Sequence, residues 1–195
     1  MAKLAGGRAE TAAVVKKEEL RPAGLGRRFA AYLVDWYLGA LATALPVSVV
    51  SMKLFGTVQN QNIMTFQPPF GLIAGALGLF AALIYYVAVP VLLWRGQTPG
   101  KRWLKIKIVS GDGQEAGTGQ LIIRQLLGII VVEGSLVSAS TIWHQMVSIA
   151  TGIEVVRPLM YAGMAVSLVS AVLVLMGRRR AIHDMLGGTM VVSCK

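Results

Sequence analysis

Apolar residues fall into long blocks separated by short polar or basic segments. No Asp, Glu, Lys or Arg occurs from Leu54 to Trp94, and none from Pro158 to Gly177. A helix needs about 20 mainly apolar residues to cross roughly 30 Å of hydrocarbon. The pattern therefore predicts four membrane spans, over residues 28–52, 70–94, 120–140 and 158–177. Three of their residues are carboxylates or a guanidinium at unusual places. Asp35 interrupts the first span, and Arg124 and Glu133 lie in the third. Pro46 is expected to bend the first helix or end its regular part.

The intervening segments read differently. Residues 53–69 are rich in Asn and Gln and end in Pro68-Pro69, which predicts a loop joining two antiparallel helices. After Trp94 comes a turn-rich basic junction, Arg95 to Trp103. The stretch from Leu104 to Val109 then sets Ile106 and Ile108 against Lys105 and Lys107, the period of a half-buried strand. Gly111-Asp112-Gly113 ends it as a turn. A second β-like run, Thr189 to Val192, follows Gly187-Gly188. A lone strand leaves backbone groups unpaired, and strand edges are not tolerated in lipid. The two runs are therefore expected to pair on the membrane surface. The stretch Thr141–Thr151 reads either as an extension of the third span or as a segment lying flat at the outer interface.

Composition agrees with a polytopic membrane protein. The 195 residues are 55% hydrophobic and only 14% charged, with a mean hydropathy of +0.63. Ordinary soluble domains carry about 25% charged residues, and a disordered chain could not leave so much apolar surface in water. The resulting fold class is an all-α integral membrane protein: a four-helix transmembrane bundle with a small cytoplasmic two-stranded β-element. Residues 1–24 read as a flexible cytoplasmic tail and 25–195 as the transmembrane domain.

Charge fixes the orientation. Of 19 Lys and Arg, 17 lie in the segment up to Arg28, in Arg95–Arg124 and in Arg178–Lys195. The positive-inside rule puts these on the cytoplasmic side, with both termini inside. The location expected is a bacterial inner membrane, crossed several times. The net charge of +10 then reads as attraction to anionic lipid headgroups, and nucleic acid is not an expected partner. Gly71, Gly75 and Gly78 form a small-residue stripe. Packing against another span of the same chain is its first reading, and a homodimer through these glycines its second.

Few residues carry candidate chemistry. A charge at membrane depth costs at least about 2.5 kcal/mol, so Asp35 and Glu133 each need a partner, a proton or water. Arg28 is expected to meet Asp184. Asp35 is expected to meet a cation from another element, with Arg124, Lys101, Arg102 and Arg180 as candidates. Glu133 has no cation near it in sequence, which favours a proton or cation site. His183 reads as a polar surface residue, His144 as an interfacial anchor and Cys194 as a small tail residue. No nucleophile elbow, phosphate loop or metal-ligand spacing is present. An enzyme, a cofactor and a metal are not expected.

Together these segments resemble the RDD family of small bacterial membrane proteins. The resemblance rests on Arg28-Phe-Ala-Ala-Tyr-Leu-Val-Asp35, then Thr98-Pro-Gly-Lys101 leading into the Lys/Ile strand, then Arg124. It closes on His183-Asp184, Gly187-Gly188-Thr189 and Met190-Val-Val192. It covers about Leu25 to Val192, with Val137–Arg157 outside the pattern. It implies that the family's name-giving arginine and aspartates are Arg28, Asp35 and Asp184. It also implies a transporter, as some members are linked to sodium–proton exchange. The expected function is proton-coupled transport of a cation or small solute, by an antiporter. The alternative is a non-transporting membrane scaffold or accessory subunit.

Overall fold

A computed structural model of the chain describes residues 21–58, 61–134 and 137–194. Most of the predicted tail therefore lies outside the described residues. Its last part does not hang free: Ala23 N donates to Val191 O at 3.0 Å, and Ser193 N donates to Arg21 O at 3.1 Å.

Helix α1 spans Leu25–Phe55 and passes Pro46 without ending. A proline removes one backbone donor, a loss that membrane helices tolerate where neighbours compensate. The helix stops instead at Gly56, whose positive φ of 69° lets its N–H close on Met52 O. A short turn at Ile63–Thr65 follows. Helix α2 then runs over Phe70–Leu93, with wide i→i+5 turns from Ile84 onwards. After it come the short helix α3, Pro99–Trp103, and strand β1, Ile106–Ser110.

The third predicted span is not one helix. Helix α4 covers Thr118–Val132 and α5 covers Ser138–Thr151. The break has a physical cause. Glu133 turns out of the helical path to bond residues of later elements. The carbonyl of Ile130 is then satisfied by Ser140 Oγ at 2.6 Å and by Trp143 Nε1 at 3.2 Å. Thr141–Thr151 accordingly belongs to a separate helix. His144 within it is 4% exposed and stacks edge-on against Trp143, so it is a packed residue.

Helix α6 spans Val156–Gly177. The chain turns at Gly177 and Arg179, both at positive φ, and forms the short helix α7, Ile182–Leu186. Strand β2, Thr189–Ser193, ends the described chain. It pairs antiparallel with β1, Ile106 opposite Ser193 and Ser110 opposite Thr189. The sheet buries Ile106, Ile108 and Val191 against Ala31 of α1 and Leu121 of α4.

Among the described residues, α1, α2 and α6 are long and apolar enough to cross a membrane. Their large apolar side chains point outward in number, among them Leu45, Phe80 and Leu168, as lipid contact requires. The glycine stripe of α2 faces its own chain. Gly71 lies against Ile63 and Ile149, Gly75 against Met146 of α5, and Gly78 against Thr43 and Val47 of α1. The close approach that small residues permit is thus used internally.

Candidate functional site

Two consecutive tyrosines of α2 reach the same residue of α1. Tyr85 Oη donates to Asp35 Oδ1 at 2.9 Å, and Tyr86 Oη donates to the Asp35 carbonyl at 3.0 Å. In a regular α-helix successive side chains point about 100° apart. The wide turns of this part of α2 narrow that angle, and such turns recur at functional sites. The Asp35 carboxylate also accepts from Thr98 Oγ1, Gly100 N at 2.8 Å and Lys101 Nζ at 2.9 Å. It therefore caps the start of α3 and pairs with its lysine. A Cβ on Gly100 would lie 2.5 Å from Ala31 O and 2.8 Å from Asp35 Oδ1, so only glycine brings the amide this close.

A second cluster surrounds Asp184, which is fully buried. Arg28 Nη2 reaches Asp184 Oδ2 at 2.6 Å. Arg124 reaches Oδ1 with Nη2 at 2.7 Å and Nε at 3.1 Å. Ala181 N adds a hydrogen bond at 3.0 Å. Arg28 also donates to the Arg179 carbonyl, which ties the start of α1 to the turn after α6. Burial pushes the Asp184 carboxyl up, but the charges of Arg124, His183 and Arg28 outweigh it and hold the group well below the usual carboxylate range. Arg124 thus serves Asp184 and not Asp35. Of the other candidates for Asp35, Arg102 stacks over Trp94 at 4.7 Å and Arg180 donates to Thr189 O.

Glu133 is not alone. His183 Nδ1 lies 2.7 Å from Glu133 Oε2, and His183 N donates to Oε1 at 2.8 Å. Ser170 Oγ of α6 donates to Oε1 at 2.7 Å, and Ser167 Oγ donates to the Glu133 carbonyl at 2.6 Å. The other imidazole nitrogen, Nε2, is 3.6 Å from Asp184 Oδ1. His183 therefore stands between two carboxylates and is no surface residue. Gly128 of α4 makes room for it: a Cβ there would lie 2.5 Å from that of His183.

The sequence contained faint signs of these partners. Ser167 and Ser170 are polar residues at i, i+3 spacing on an otherwise apolar helix. His183 adjoins Asp184, but its approach to Glu133 depends on the turn at Gly177–Arg179, which spacing alone does not reveal.

The two clusters and Glu133 share one cavity of about 630 Å³, within the usual range of small-molecule sites. Phe29, Tyr32 and Trp36 of α1 form one wall, and Ser170, Val174 and Leu175 of α6 the other. Arg124 and Gln125 of α4, and Glu133 just after it, also line the cavity. Phe29 and Leu175 are 63% and 68% exposed, so the space opens between α1 and α6. The groups present can hold a proton or an ion among carboxylates and an imidazole. No group of three or more His, Cys, Asp or Glu suited to a metal occurs among the described residues.

The sequence profile of the RDD family matches residues 22–188. The chain belongs to the RDD family. Its RDD region contains α1 to α7, and Arg28, Asp35 and Asp184 all make charged contacts within it. No curated protein and no solved structure matches the chain significantly.

Proposed function

We propose that this RDD protein is a proton-coupled transporter of a cation or small solute, with Glu133 and His183 exchanging the proton. The observation that carries the reading is their 2.7 Å contact at the wall of an open cavity. A carboxylate at membrane depth is costly unless it is paired, and such residues commonly mark ion or proton pathways. A proton and a cation compete for the same carboxylate oxygens. That exclusion is the elementary condition for exchange of one against the other.

The transport reading includes four crossings in a bacterial inner membrane, with both termini cytoplasmic. The fourth is α4 and α5 taken together. Gln120 Nε2 at the start of α4 bonds Ser110 Oγ of the sheet at 3.1 Å. In α5, Gln145 Oε1 accepts from Ile63 N at 3.0 Å, in the loop between α1 and α2. A broken helix whose interruption lines a cavity is compatible with a membrane interior.

The accessory-subunit alternative draws on the sheet as a docking edge. Both edges carry local bridges, Pro22 to Val192 and Val109 to Glu115, which leaves little free edge for a partner strand. The deciding experiment is flux in proteoliposomes. Imposed sodium or potassium gradients are expected to move protons through the reconstituted protein. Absence of proton movement with every alkali cation would remove the cation half of the reading and leave only a small solute.

A further inference from the structure

We infer that α6 is the moving wall of the cavity: it pivots on glycines near its two ends and is held closed by Ser167 and Ser170 bonded to Glu133.

The packing of α6 is the first ground. Of its apolar stretch 11% is buried, against 22% in α1 and 22% in α2. Gly163 and Ser170 are the buried residues of Val156–Leu173. Lipid contact accounts for the outer face, so the inner face is the informative one. Ser167, Ser170, Ala171, Val174 and Leu175 follow helical spacing along a single face, and all five line the cavity. Along this face α6 borders open space where a packed helix would meet side chains. Elements with few buried apolar contacts belong to the low-stability end of a structure, from which moving parts are drawn.

The ends of the helix are the second ground. Gly152, between α5 and α6, has a φ of 71°, and Gly177, in the last turn of α6, has a φ of 93°. A Cβ at either position would meet nothing within 4 Å, so these glycines serve backbone freedom and not close packing. Met176, beside Gly177, also leaves helical geometry, with a ψ of 18°. A hinge needs a few such residues at the end of an element, where large dihedral changes can be absorbed.

Between these ends two serines fasten the helix at one level. Ser167 Oγ donates to the Glu133 carbonyl at 2.6 Å and Ser170 Oγ to Glu133 Oε1 at 2.7 Å. Ser170 Oγ also accepts from Ile182 N at 2.9 Å, so one hydroxyl joins α6 to both neighbours. A hydrogen bond to an ionised carboxylate is about twice as strong as one between neutral groups. The groups that face Glu133 are His183 of α7, with Asp184 and its arginines behind it, and Tyr32 of α1 across the cavity. A proton or cation that takes the carboxylate oxygens competes with Ser170 for them. That trigger rests on the transport reading, whereas the hinged motion does not.

The test is a distance measurement between spin labels on the full chain in lipid nanodiscs, in a Cys194→Ser background. Tyr37→Cys of α1 and Leu168→Cys of α6 are exposed and outside the cavity lining. Tyr37→Cys with Phe80→Cys of α2, also exposed, is the reference pair. With the serines intact, the α1–α6 pair is expected to show two distances and the reference pair one. Adding Ser167→Ala and Ser170→Ala should lower the ratio of short to long distance about tenfold, and Ser170→Thr alone, which keeps the hydroxyl, should leave it unchanged. A single narrow α1–α6 distance overturns the inference even if the double variant does not fold. So does a ratio unmoved by the alanines, an equal broadening of the reference pair, or a second distance that grows with protein concentration and so belongs to a second copy. No gradient is applied, so a still α6 leaves the flux result standing, and absent flux leaves the distances standing.

Discussion

Glu133 and His183 are 50 residues apart, yet Oε2 and Nδ1 are 2.7 Å from each other. The contact exists because the chain reverses after α6. Ile182 N then returns to Ser170 Oγ at 2.9 Å, so that α7 lies beside the last turns of α6 with its histidine against α4. Glu133→Gln keeps an oxygen for Ser170 and for His183 N. A neutral imidazole that carries its proton on Nε2 can accept from the new amide at Nδ1. The variant is expected to match the wild type in thermal stability in detergent and to lose proton-coupled flux. A Glu133→Gln protein that unfolds, or that still couples protons to cations, contradicts the assignment.

Asp184 is expected to matter for folding. Removing its charge leaves Arg124, 1% exposed, without a counter-ion, and breaking a buried pair typically costs about 3–5 kcal/mol. Asp184→Asn should lower the yield of folded protein sharply. Arg124→Leu alone should do the same, and the two together should cost less than their sum, because the orphaned charge is gone. Strict additivity in melting experiments would show that the two groups do not depend on each other.

The same carboxylate predicts an acid limb. Its pKa in the folded state is held below the ordinary value of 3.8, by Arg124, His183 and Arg28 against the opposing effect of burial. A group with a depressed folded pKa stabilises fully above its unfolded pKa and loses that contribution as pH falls towards the folded one. Thermal stability is expected to fall as pH is lowered from about 5 to about 3, with a shallower fall in Asp184→Asn. Equal slopes for the two proteins would assign the acid limb to other groups.

How far these contacts were legible in the sequence follows from the distance each signal must span. Strand pairing was legible, because Ile106 and Ile108 alternate with lysines and the second run is the natural partner. Arg28 was expected to meet Asp184, as it does, whereas Lys101 was one of four cations considered for Asp35, and charge alone does not choose among them. Arg124 went to Asp184 because it enters the cluster from α4, at a level fixed by wide turns that no residue type announces. The break of the third span was hidden for a similar reason. Residues 120–140 are apolar enough for one helix, and only the donors on Ser140, Trp143, Ser170 and His183 make stopping at Val132 favourable.

Gly128→Ala tests how tightly α7 is seated. A methyl group there would meet the His183 Cβ at 2.5 Å, and its Cα at 2.9 Å, a contact that requires α7 to shift. Overpacking of this kind typically costs about 1–3 kcal/mol. The variant is expected to melt earlier and to lose coupled flux along with stability. Gly119→Ala, on the same helix with open space at its Cβ, should leave both nearly unchanged. A harmless Gly128→Ala would mean that α7 is not held against α4.

The four-crossing topology makes a prediction that the three long helices alone do not. If α4 and α5 together cross, the chain between α5 and α6 emerges on the same side as the loop after α1. Ile153, 64% exposed, and Gln61 would then face outward, while Gln114, in the segment after β1, would face the cytoplasm. The native thiol, Cys194, is half-buried beside Gln97 and is best removed by Cys194→Ser. In that background Gln61→Cys and Ile153→Cys are expected to react with an impermeant maleimide in intact cells. Gln114→Cys should react only after permeabilisation. The decisive position is Ile153. Protection of Ile153→Cys with labelling of Gln61→Cys would mean that α4 and α5 fold back to the inner face, and that the broken helix lines the cavity without crossing.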